Sequence, residues 1–379
     1  MVLVLMLTTF NGIGQSTEKH FFPSDTLATA MTKQLYNSIC NLSGKGIMIG
    51  HQDALSYGVH WKKGENRSDI KDVTGSHPAV YGWDIGGLEL GWEANLDSVP
   101  FDQMRDNIIL AFENGGVNTI SWHVFNPVTS LDSWADTKLP NKTVSMILPG
   151  GSHHKAFIAQ LDAVAAFFKT LNTKEGEPIP IVFRPWHEHS GNWFWWGAKH
   201  CSKEEYIQLY RFTVSYLRTK HALHQLLMAY SPDVGFTDED SYLERYPGDD
   251  VVDVIGVDDY NSLRTNQPTK LINHLEIISA IATKKNKISA FTETGITDFS
   301  GRNYFMHELF PCLDHSQLTR SVSWVLFWRN HNEKQFYVPY PSNPATVDFI
   351  EFCNKEYILL NNDLPDLYRV KEVRELKIQ

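Results

Sequence analysis

The sequence predicts a single (β/α)8 TIM barrel, an α/β fold in which eight parallel strands form a closed ring surrounded by helices. Three observations support this: eight short apolar runs recur along the chain, segments with helical spacing separate them, and polar or aromatic residues follow several of them. No repeat, low-complexity tract or Pro/Ser-rich linker interrupts residues 25–370. These residues are therefore predicted to form one domain.

The apolar runs have the length and composition of buried parallel strands. Continuous apolar strands that alternate with helices are typical of a parallel sheet covered on both faces, and eight such units close a barrel. An open doubly wound sheet is the alternative, but the sequence has no Gly-rich phosphate loop of the kind those folds use. The predicted strands cover residues 46–50, 79–83, 117–122, 179–183, 226–230, 252–257, 288–291 and 323–327.

The segment between the third and fourth strands shows helical spacing. Phe157, Leu161, Val164, Phe168 and Leu171 recur every three or four residues, which places them on one face of a helix. This stripe is predicted to pack against the barrel.

Composition narrows the class of partner. The formal net charge is −10, and nucleic acids or anionic membrane surfaces need a basic footprint, so neither is expected as a partner. The 11 Trp and 15 Tyr offer flat apolar faces with polar edges, which suit sugar rings. Trp61, Trp92 and Trp134 in the loops after the first three strands could be sugar platforms or packing residues, and the sequence leaves this open.

The first residues predict export. Residues 2–7 form an apolar run that is too short to span a bilayer and is typical of the h-region of a signal peptide. We expect a signal peptide over residues 1–15, a secreted or periplasmic protein, and no lipoprotein anchor, because no Cys follows the run.

The scattered positions of the cysteines exclude a zinc ribbon and leave disulfides open. They are Cys40, Cys201, Cys312 and Cys353.

Polar and aromatic residues cluster after the predicted strands. In a (β/α)8 barrel the carboxyl ends of the strands build the active site, so residues distant in sequence converge there. Such residues are Asp84, His123, Asp258, Tyr260, Trp328 and Arg329.

The stretch after the fourth strand is hard to explain as scaffold. Residues 184–197 read Arg-Pro-Trp-His-Glu-His-Ser-Gly-Asn-Trp-Phe-Trp-Trp-Gly, with bulky and ionisable side chains where a connector needs none. Glu188 lies among aromatic residues, so burial is expected to raise its pKa and keep a proton available, as a general acid requires. The competing interpretation is a structural salt bridge with Arg184, and the residues alone leave both open.

Glu293 is the second candidate carboxylate, at the end of the seventh strand. It is flanked by small polar residues, so it can remain ionised and act as a nucleophile. Strands four and seven face each other across a barrel mouth, which gives Glu188 and Glu293 the opposed arrangement that glycoside hydrolysis requires.

Residues 184–197 resemble the acid/base signature of glycoside hydrolase family 26, Arg-Pro-x-His-Glu followed by Gly-x-Trp-Phe-Trp-Trp-Gly. The chain departs from the family pattern after the acid/base, where members usually have Met-Asn and this sequence has His189 and Ser190. Most known members are endo-β-1,4-mannanases. The resemblance covers nearly the whole chain, because it extends to Gly50-His51-Gln52, Ser121-Trp122-His123, Asp258, Tyr260, Glu293 and Trp328-Arg329.

The resemblance implies a retaining hydrolase of β-1,4-mannosidic linkages in mannan, galactomannan or glucomannan. It implies that Glu188 is the acid/base and Glu293 the nucleophile, that Tyr260 hydrogen-bonds the nucleophile, and that Arg184 and His187 orient the carboxylates. The substrate-binding residues that it implies are His123, Arg184, His187, Trp193, Asp258, Tyr260, Trp328 and Arg329.

Several alternatives stay open at this point. Endo action and an exo action that releases mannobiose both fit, and the same family includes β-1,3-xylanases and mixed-linkage β-glucanases. A non-catalytic carbohydrate-binding barrel is the alternative from another class, although a pure binder does not need two opposed carboxylates.

No metal or cofactor is expected. His187 and His189 would point to opposite faces of an extended segment, and the H-E-x-x-H spacing of metalloproteases is absent. We expect a monomer.

Overall fold

The computed structural model describes residues 19–64, 66–135, 142–297, 299, 301 and 303–369. Each of eight parallel strands pairs with the next, and the first pairs with the last through Met48 opposite Trp324, which closes the ring. The predicted (β/α)8 fold class is confirmed. The strands are β1 (Ile47–Gln52), β2 (Val80–Asp84), β3 (Val117–Ser121), β4 (Ile181–Arg184), β5 (Leu226–Tyr230), β6 (Val254–Asp259), β7 (Ile288–Thr294) and β8 (Trp324–Phe327).

Helices precede, connect and follow these strands. In the part of the chain that the structure describes they are α1 (Ala30–Leu42), α2 (Asp69–Thr74), α3 (Phe101–Glu113), α4 (Thr143–Ile147), α5 (His154–Phe168), α6 (Lys203–Ser215), α7 (Glu239–Leu243), α8 (Asn261–Arg264), α9 (Pro268–Lys285), α10 (Phe310–Leu313), α11 (Gln317–Arg320) and α12 (Thr346–Cys353). Tyr216–Lys220 and Tyr304–Leu309 are π-helical, and Leu88–Leu90 and Asn361–Asp363 are 3₁₀ turns. The short strands Tyr57–Gly58 and Trp61–Lys62 form a hairpin, and Ile358–Leu359 pairs with β1.

Local sequence signals explain several of these boundaries. A capping box starts α6, because the Ser202 side chain accepts from the Glu205 backbone and the Glu205 side chain accepts in return from the Ser202 backbone. The predicted stripe over Phe157 to Phe168 lies on α5, but the helix ends at Phe168 and the prediction was wrong for Leu171. Leu171 is buried beyond the helix, where its carbonyl accepts from the Ile179 backbone in the turn that leads to β4.

Alternation along the strands divides the apolar side chains between two cores. In β1, Ile47 and Ile49 join the large outer core that the helices cover, whereas Met48 joins a second core inside the ring. Leu35 and Tyr36 of α1 belong to this inner core, so α1 closes the end of the ring where the strands begin. The opposite end, where the strands finish, is left for polar side chains.

Five strands run farther than the sequence predicted. β1 continues to Gln52, β2 to Asp84, β4 to Arg184, β6 to Asp259 and β7 to Thr294, so several polar residues expected just after the strands are part of the strands themselves. Backbone pairing does not depend on side-chain polarity, and Asp258 stands beside Glu293 in the paired register of β6 and β7. Asp84, Arg184, Asp258 and Glu293 therefore sit on rigid strands rather than on connecting loops.

Export and the domain boundaries stay predictions. The predicted signal peptide, residues 1–15, lies outside the described residues. Within the described ranges, no helix combines the length and the apolar character needed to cross a bilayer. All four cysteines are free thiols.

The inner core generates a stability prediction. Leu35→Ala removes a fully buried side chain from the closed end of the barrel and is expected to lower the free energy of unfolding by about 2–5 kcal/mol. Leu27→Ala is the matched control, because Leu27 is 69% exposed, and it is expected to change that free energy by no more than about 0.5 kcal/mol. Urea titration of both variants measures this, and equal losses would contradict the assignment of α1 to the inner core.

Candidate active site

A cavity of about 850 Å³ opens where the strands finish. Both candidate carboxylates, on the loop after β4 and on β7, face into this cavity. The residues predicted for the site that line it are His123, Glu188, Trp193, Tyr260, Glu293, Trp328 and Arg329.

Glu293 is held by two donors from different strands. Its Oε1 accepts from the Tyr260 hydroxyl at 2.7 Å, and its Oε2 accepts from the guanidinium of Arg184. The same guanidinium donates to Asp258 Oδ2 at 2.5 Å and to the Ser231 hydroxyl at 3.3 Å. Burial, followed by the Glu293 carboxylate, holds the pKa of Tyr260 well above its usual value, so its hydroxyl stays a donor. These contacts leave the Glu293 carboxylate no freedom to turn away from the cavity.

Glu188 has a different environment. Its carboxylate accepts from Trp193 Nε1 at 2.6 Å, and Arg184 forms its ion pairs with Asp258 and Glu293 instead of with Glu188. The alternative interpretation of Glu188 as a partner of Arg184 was therefore wrong. Burial, followed by the negative charges of Glu293, Asp258 and Asp233, raises the pKa of Glu188 well above the usual range.

The backbone at Glu188 is strained. Its φ of 52° lies in the left-handed region, which for a residue other than glycine is unfavourable by about 1–3 kcal/mol. Two backbone hydrogen bonds hold the turn, from Glu188 N–H to the Ser231 carbonyl at 2.8 Å and from Gly191 N–H to the Glu188 carbonyl at 2.9 Å. The loop after β4 is thus tied to the end of β5.

A chain of three side chains lies beside the two glutamates. Asp84, which is fully buried, accepts from His123 Nδ1 at 2.7 Å, and His123 Nε2 lies 3.2 Å from His187 Nε2. Burial opposes a charge on His123, but the adjacent Asp84 carboxylate outweighs it and raises the pKa of His123. Burial and the cations Arg184 and His123 hold the pKa of His187 well below its usual value, so His187 is the neutral member of the pair.

The order of strands around the ring divides the cavity into two sides. β4 and β7 position the two glutamates, so β5 and β6 lie on one side of them and β8, β1, β2 and β3 on the other. The first side supplies Asp233, Tyr260, Asn261 and Arg264 to the cavity wall. The second side supplies Trp92, Asp97, His123, Trp328 and Arg329.

Three predicted substrate-binding residues do not line the cavity. Arg184, His187 and Asp258 are each no more than 1% exposed and make their contacts beneath the wall, so the prediction that they bind substrate directly is corrected. From their buried places on β4 and β6, Arg184 contacts Asp258, Glu293 and Ser231, and Asp258 also accepts from the Thr292 hydroxyl.

The three loop tryptophans have different environments in the structure. Trp61 is buried and donates to Asp69 Oδ1 at 2.7 Å, so it is a packing residue. Trp92 and Trp134 line the cavity, and Trp134 is 60% exposed, which leaves a ring face available to a sugar. As for metals, no group of three or more His, Cys, Asp or Glu in the described ranges is arranged to hold an ion.

Comparison with protein families gives a match to Glycosyl hydrolase family 26 over residues 24–309. The chain belongs to glycoside hydrolase family 26. The resemblance on which the sequence analysis relied is therefore confirmed, and it extends to solved structures. A family 26 β-mannanase from Bacteroides ovatus has a TM-score of 0.86 and 39% sequence identity over 91% of this chain and 98% of that chain.

Two curated relatives carry the same printed name, "Mannan endo-1,4-beta-mannosidase". The protein from Bifidobacterium adolescentis is 34% identical over 363 residues, and the match covers 89% of this chain. This chain spans only 35% of that relative's length. The protein from Bacillus subtilis strain 168 is 28% identical over 307 residues, which are 78% of this chain and 79% of that protein.

The two positions that depart from the family 26 pattern both pack toward β5. His189 lies between the rings of Tyr206 and Tyr230, with centroid distances of 4.2 and 4.7 Å. Burial, followed by the charge of Arg245, holds the pKa of His189 well below its usual value, so it packs as a neutral ring. The Ser190 hydroxyl donates to the Asp233 carbonyl at 2.9 Å. His189 and Ser190 therefore connect the acid/base loop to β5 and to the segment that follows it.

Asp233 and Asp97 are among the cavity residues that sequence reasoning missed. Asp233 follows the fifth strand by three residues, so the strand-end rule that found Asp258 could also have found it. Asp97 pairs with Arg329 at 2.7 Å from within the loop between β2 and α3, far from any strand end, and no sequence signal marks it.

The Asp84–His123 pair generates a prediction. Asp84→Asn removes the carboxylate that stabilises the imidazolium, while burial still opposes the charge, so the pKa of His123 is expected to fall below its native value. An NMR titration of the imidazole signals measures the shift. Asp162→Asn is the matched control, because it alters a His–Asp contact at the surface, with His221, and is expected to leave His123 unchanged. An unaltered His123 titration in Asp84→Asn would contradict the pairing.

Proposed function

We propose that this chain is a retaining endo-β-1,4-mannanase that hydrolyses mannan, galactomannan or glucomannan. The observation that carries the proposal is the pair of glutamates in one cavity with opposite electrostatic environments. Glu188 has a raised pKa and an indole partner, whereas Glu293 is bound to a guanidinium and a phenol. The names of the curated mannanase relatives support mannan as the substrate.

The first step forms a glycosyl-enzyme. Glu293 attacks the anomeric carbon while Glu188 donates its proton to the glycosidic oxygen, so the new ester bond forms as the old glycosidic bond breaks. The leaving sugar departs with the proton. The raised pKa of Glu188 supports this role, because the proton must be present near neutral pH.

The second step releases the sugar. Glu188, now a carboxylate, removes a proton from water, and the resulting oxygen attacks the anomeric carbon and displaces Glu293. Two inversions at the same carbon give net retention, so the first product carries the β configuration.

Residues beneath the cavity wall act by positioning the two glutamates. Arg184 and Tyr260 orient the two oxygens of Glu293, and Asp258 fixes Arg184 through their ion pair. His187 immediately precedes Glu188 and contacts His123, so it holds the acid/base turn against the wall of β3. These residues reach the sugar only through the side chains that they hold.

The side of the cavity formed by β8 and β1–β3 suits the glycone part of the polysaccharide substrate. Trp328 and His123 lie in edge contact there, and Trp193 stands beside Glu188 at the junction of the two sides. Arg329 and Asp97 form an ion pair at the end of this side of the cavity. Exo action with release of mannobiose is the alternative to endo action, because the loop that carries Asp97 borders the same end.

A time-resolved product profile on unsubstituted β-1,4-mannan tests substrate, mode and mechanism together. We expect mannooligosaccharides of mixed sizes at early times, with a fast fall in viscosity on galactomannan and the β anomer first in proton NMR. Glu293→Ala is expected to abolish release, and Glu188→Ala to slow it by about 10²–10⁴-fold. Glu239→Ala, which alters an exposed glutamate paired with Lys284, is the matched control with native rates.

Each other outcome identifies an alternative. Mannobiose alone at early times would replace endo with exo action, and an α anomer would exclude retention. Cleavage of β-1,3-xylan or lichenan but not mannan would change the substrate. A protein that binds mannan equally well with Glu293→Ala and cleaves none of these polymers would be a binding barrel.

We also propose that the protein is secreted or periplasmic and monomeric, which suits a polymer that does not enter cells. The apolar run at residues 2–7 supports export. When the full chain is expressed in a bacterial host, the exported protein is expected to begin near residue 16 by N-terminal sequencing and to sediment at the mass of one chain. Intact Met1 on protein confined to the cytoplasm would rule out the export signal.

A further inference from the structure

Asp233 is a buried carboxyl group that the proposed mechanism does not use. It is 8% exposed, lies three residues beyond β5 and lines the same cavity as Glu188 and Glu293. Burial, followed by the charges of Asp259 and Glu293, raises its pKa to about 7. Within the protein its carboxyl group has a backbone hydrogen bond from Val234, and a ligand in the cavity can supply further hydrogen-bond partners.

The position of Asp233 around the ring determines which part of a substrate it meets. The proposed glycone residues lie on the side of β8 and β1–β3, whereas Asp233 lies on the side of β5 and β6. Glu188 and Glu293 stand between the two sides of the cavity. A polysaccharide that extends across both glutamates therefore places its departing sugar toward Asp233. Asn261 and Arg264, which contact each other, form the outer part of the same side.

The distance of Asp233 from the acid/base is held by the backbone. The N–H of Glu188 donates to the Ser231 carbonyl, and the Ser190 hydroxyl donates to the carbonyl of Asp233 itself. On its other flank the segment is held by Asp258 N–H, which donates to the Pro232 carbonyl at 3.0 Å. The charge of Asp233 also contributes to the raised pKa of Glu188, in accord with this proximity.

We infer that Asp233 binds the sugar on the leaving-group side of the scissile bond, where its carboxyl group hydrogen-bonds hydroxyl groups of the departing mannosyl unit. The inference rests on the proposed function and deepens it, because it assigns a specificity residue for the leaving group. A carboxyl group accepts from hydroxyls when ionised and also donates when protonated, so it suits a sugar hydroxyl in either state. The strength of the interaction would appear only with substrates whose leaving group carries hydroxyls.

The test compares two substrates that share a glycone but differ in the leaving group: mannotetraose and a 4-nitrophenyl β-mannobioside. Asp233→Ala is expected to lower kcat/KM on mannotetraose by about 10- to 100-fold and on the aryl mannobioside by less than about 3-fold. It is also expected to lower the ratio of transfer to added mannobiose over hydrolysis, because both depend on the same sugar position.

Two further variants separate binding from an indirect effect. Asp233→Asn keeps hydrogen-bonding groups and removes the charge, so it is expected to restore most of the rate on mannotetraose. Asp97→Ala is the matched control on the opposite side of the cavity, and it is expected to affect both substrates equally.

The outcomes are distinct. Equal losses on both substrates in Asp233→Ala, or native rates on both, would overturn the inference while the native enzyme still cleaves mannotetraose. Absence of cleavage of either substrate by the native enzyme would instead reject the proposed function.

Discussion

The structure of the site depends on one buried cation. Arg184 is 1% exposed, and its guanidinium faces the carboxylates of Asp258 and Glu293. The three residues lie at the ends of β4, β6 and β7. A buried charge of this kind is tolerated only when its partners are in place, and removal of one partner is strongly destabilising. The strand order and register that bring β4, β6 and β7 together are therefore a condition for holding Glu293, and Glu293 cannot be oriented without the closed barrel.

Glu188, the other glutamate, is positioned by backbone contacts rather than by a buried cation. Glu188 lies on a strained turn rather than on a strand, and backbone bonds to Ser231 and Gly191 hold it in the left-handed conformation. Its hydrogen-bond partner is the indole of Trp193 rather than a cationic side chain. Two carboxyl groups in one cavity thus have different electrostatic environments, because Glu293 is bound to the Arg184 guanidinium and Glu188 to the Trp193 indole.

Sequence reasoning succeeded where a residue's position at the cavity follows from its place along a strand. The eight strands, Glu293 and the pair Trp328-Arg329 were found because apolar runs and strand ends can be read directly, and the family resemblance added Tyr260. It failed where the position depends on how deeply the side chain is buried. Asp258 and Tyr260 are two residues apart, yet Asp258 is buried beneath the wall and Tyr260 lines it. Asp97 was missed because a loop folds it onto Arg329, and such a contact depends on three-dimensional closure that no local pattern encodes.

The electrostatic arrangement also explains how one carboxyl group can serve both steps of the proposed mechanism. After burial, the negative charge of the Glu293 carboxylate is the largest influence that raises the pKa of Glu188. When Glu293 becomes an ester in the glycosyl-enzyme, that charge disappears, although the charges of Asp258 and Asp233 remain. The pKa of Glu188 must then fall, which favours the carboxylate needed to deprotonate water. The acid of the first step thus becomes the base of the second because the nucleophile's own charge changes, without movement of any other group.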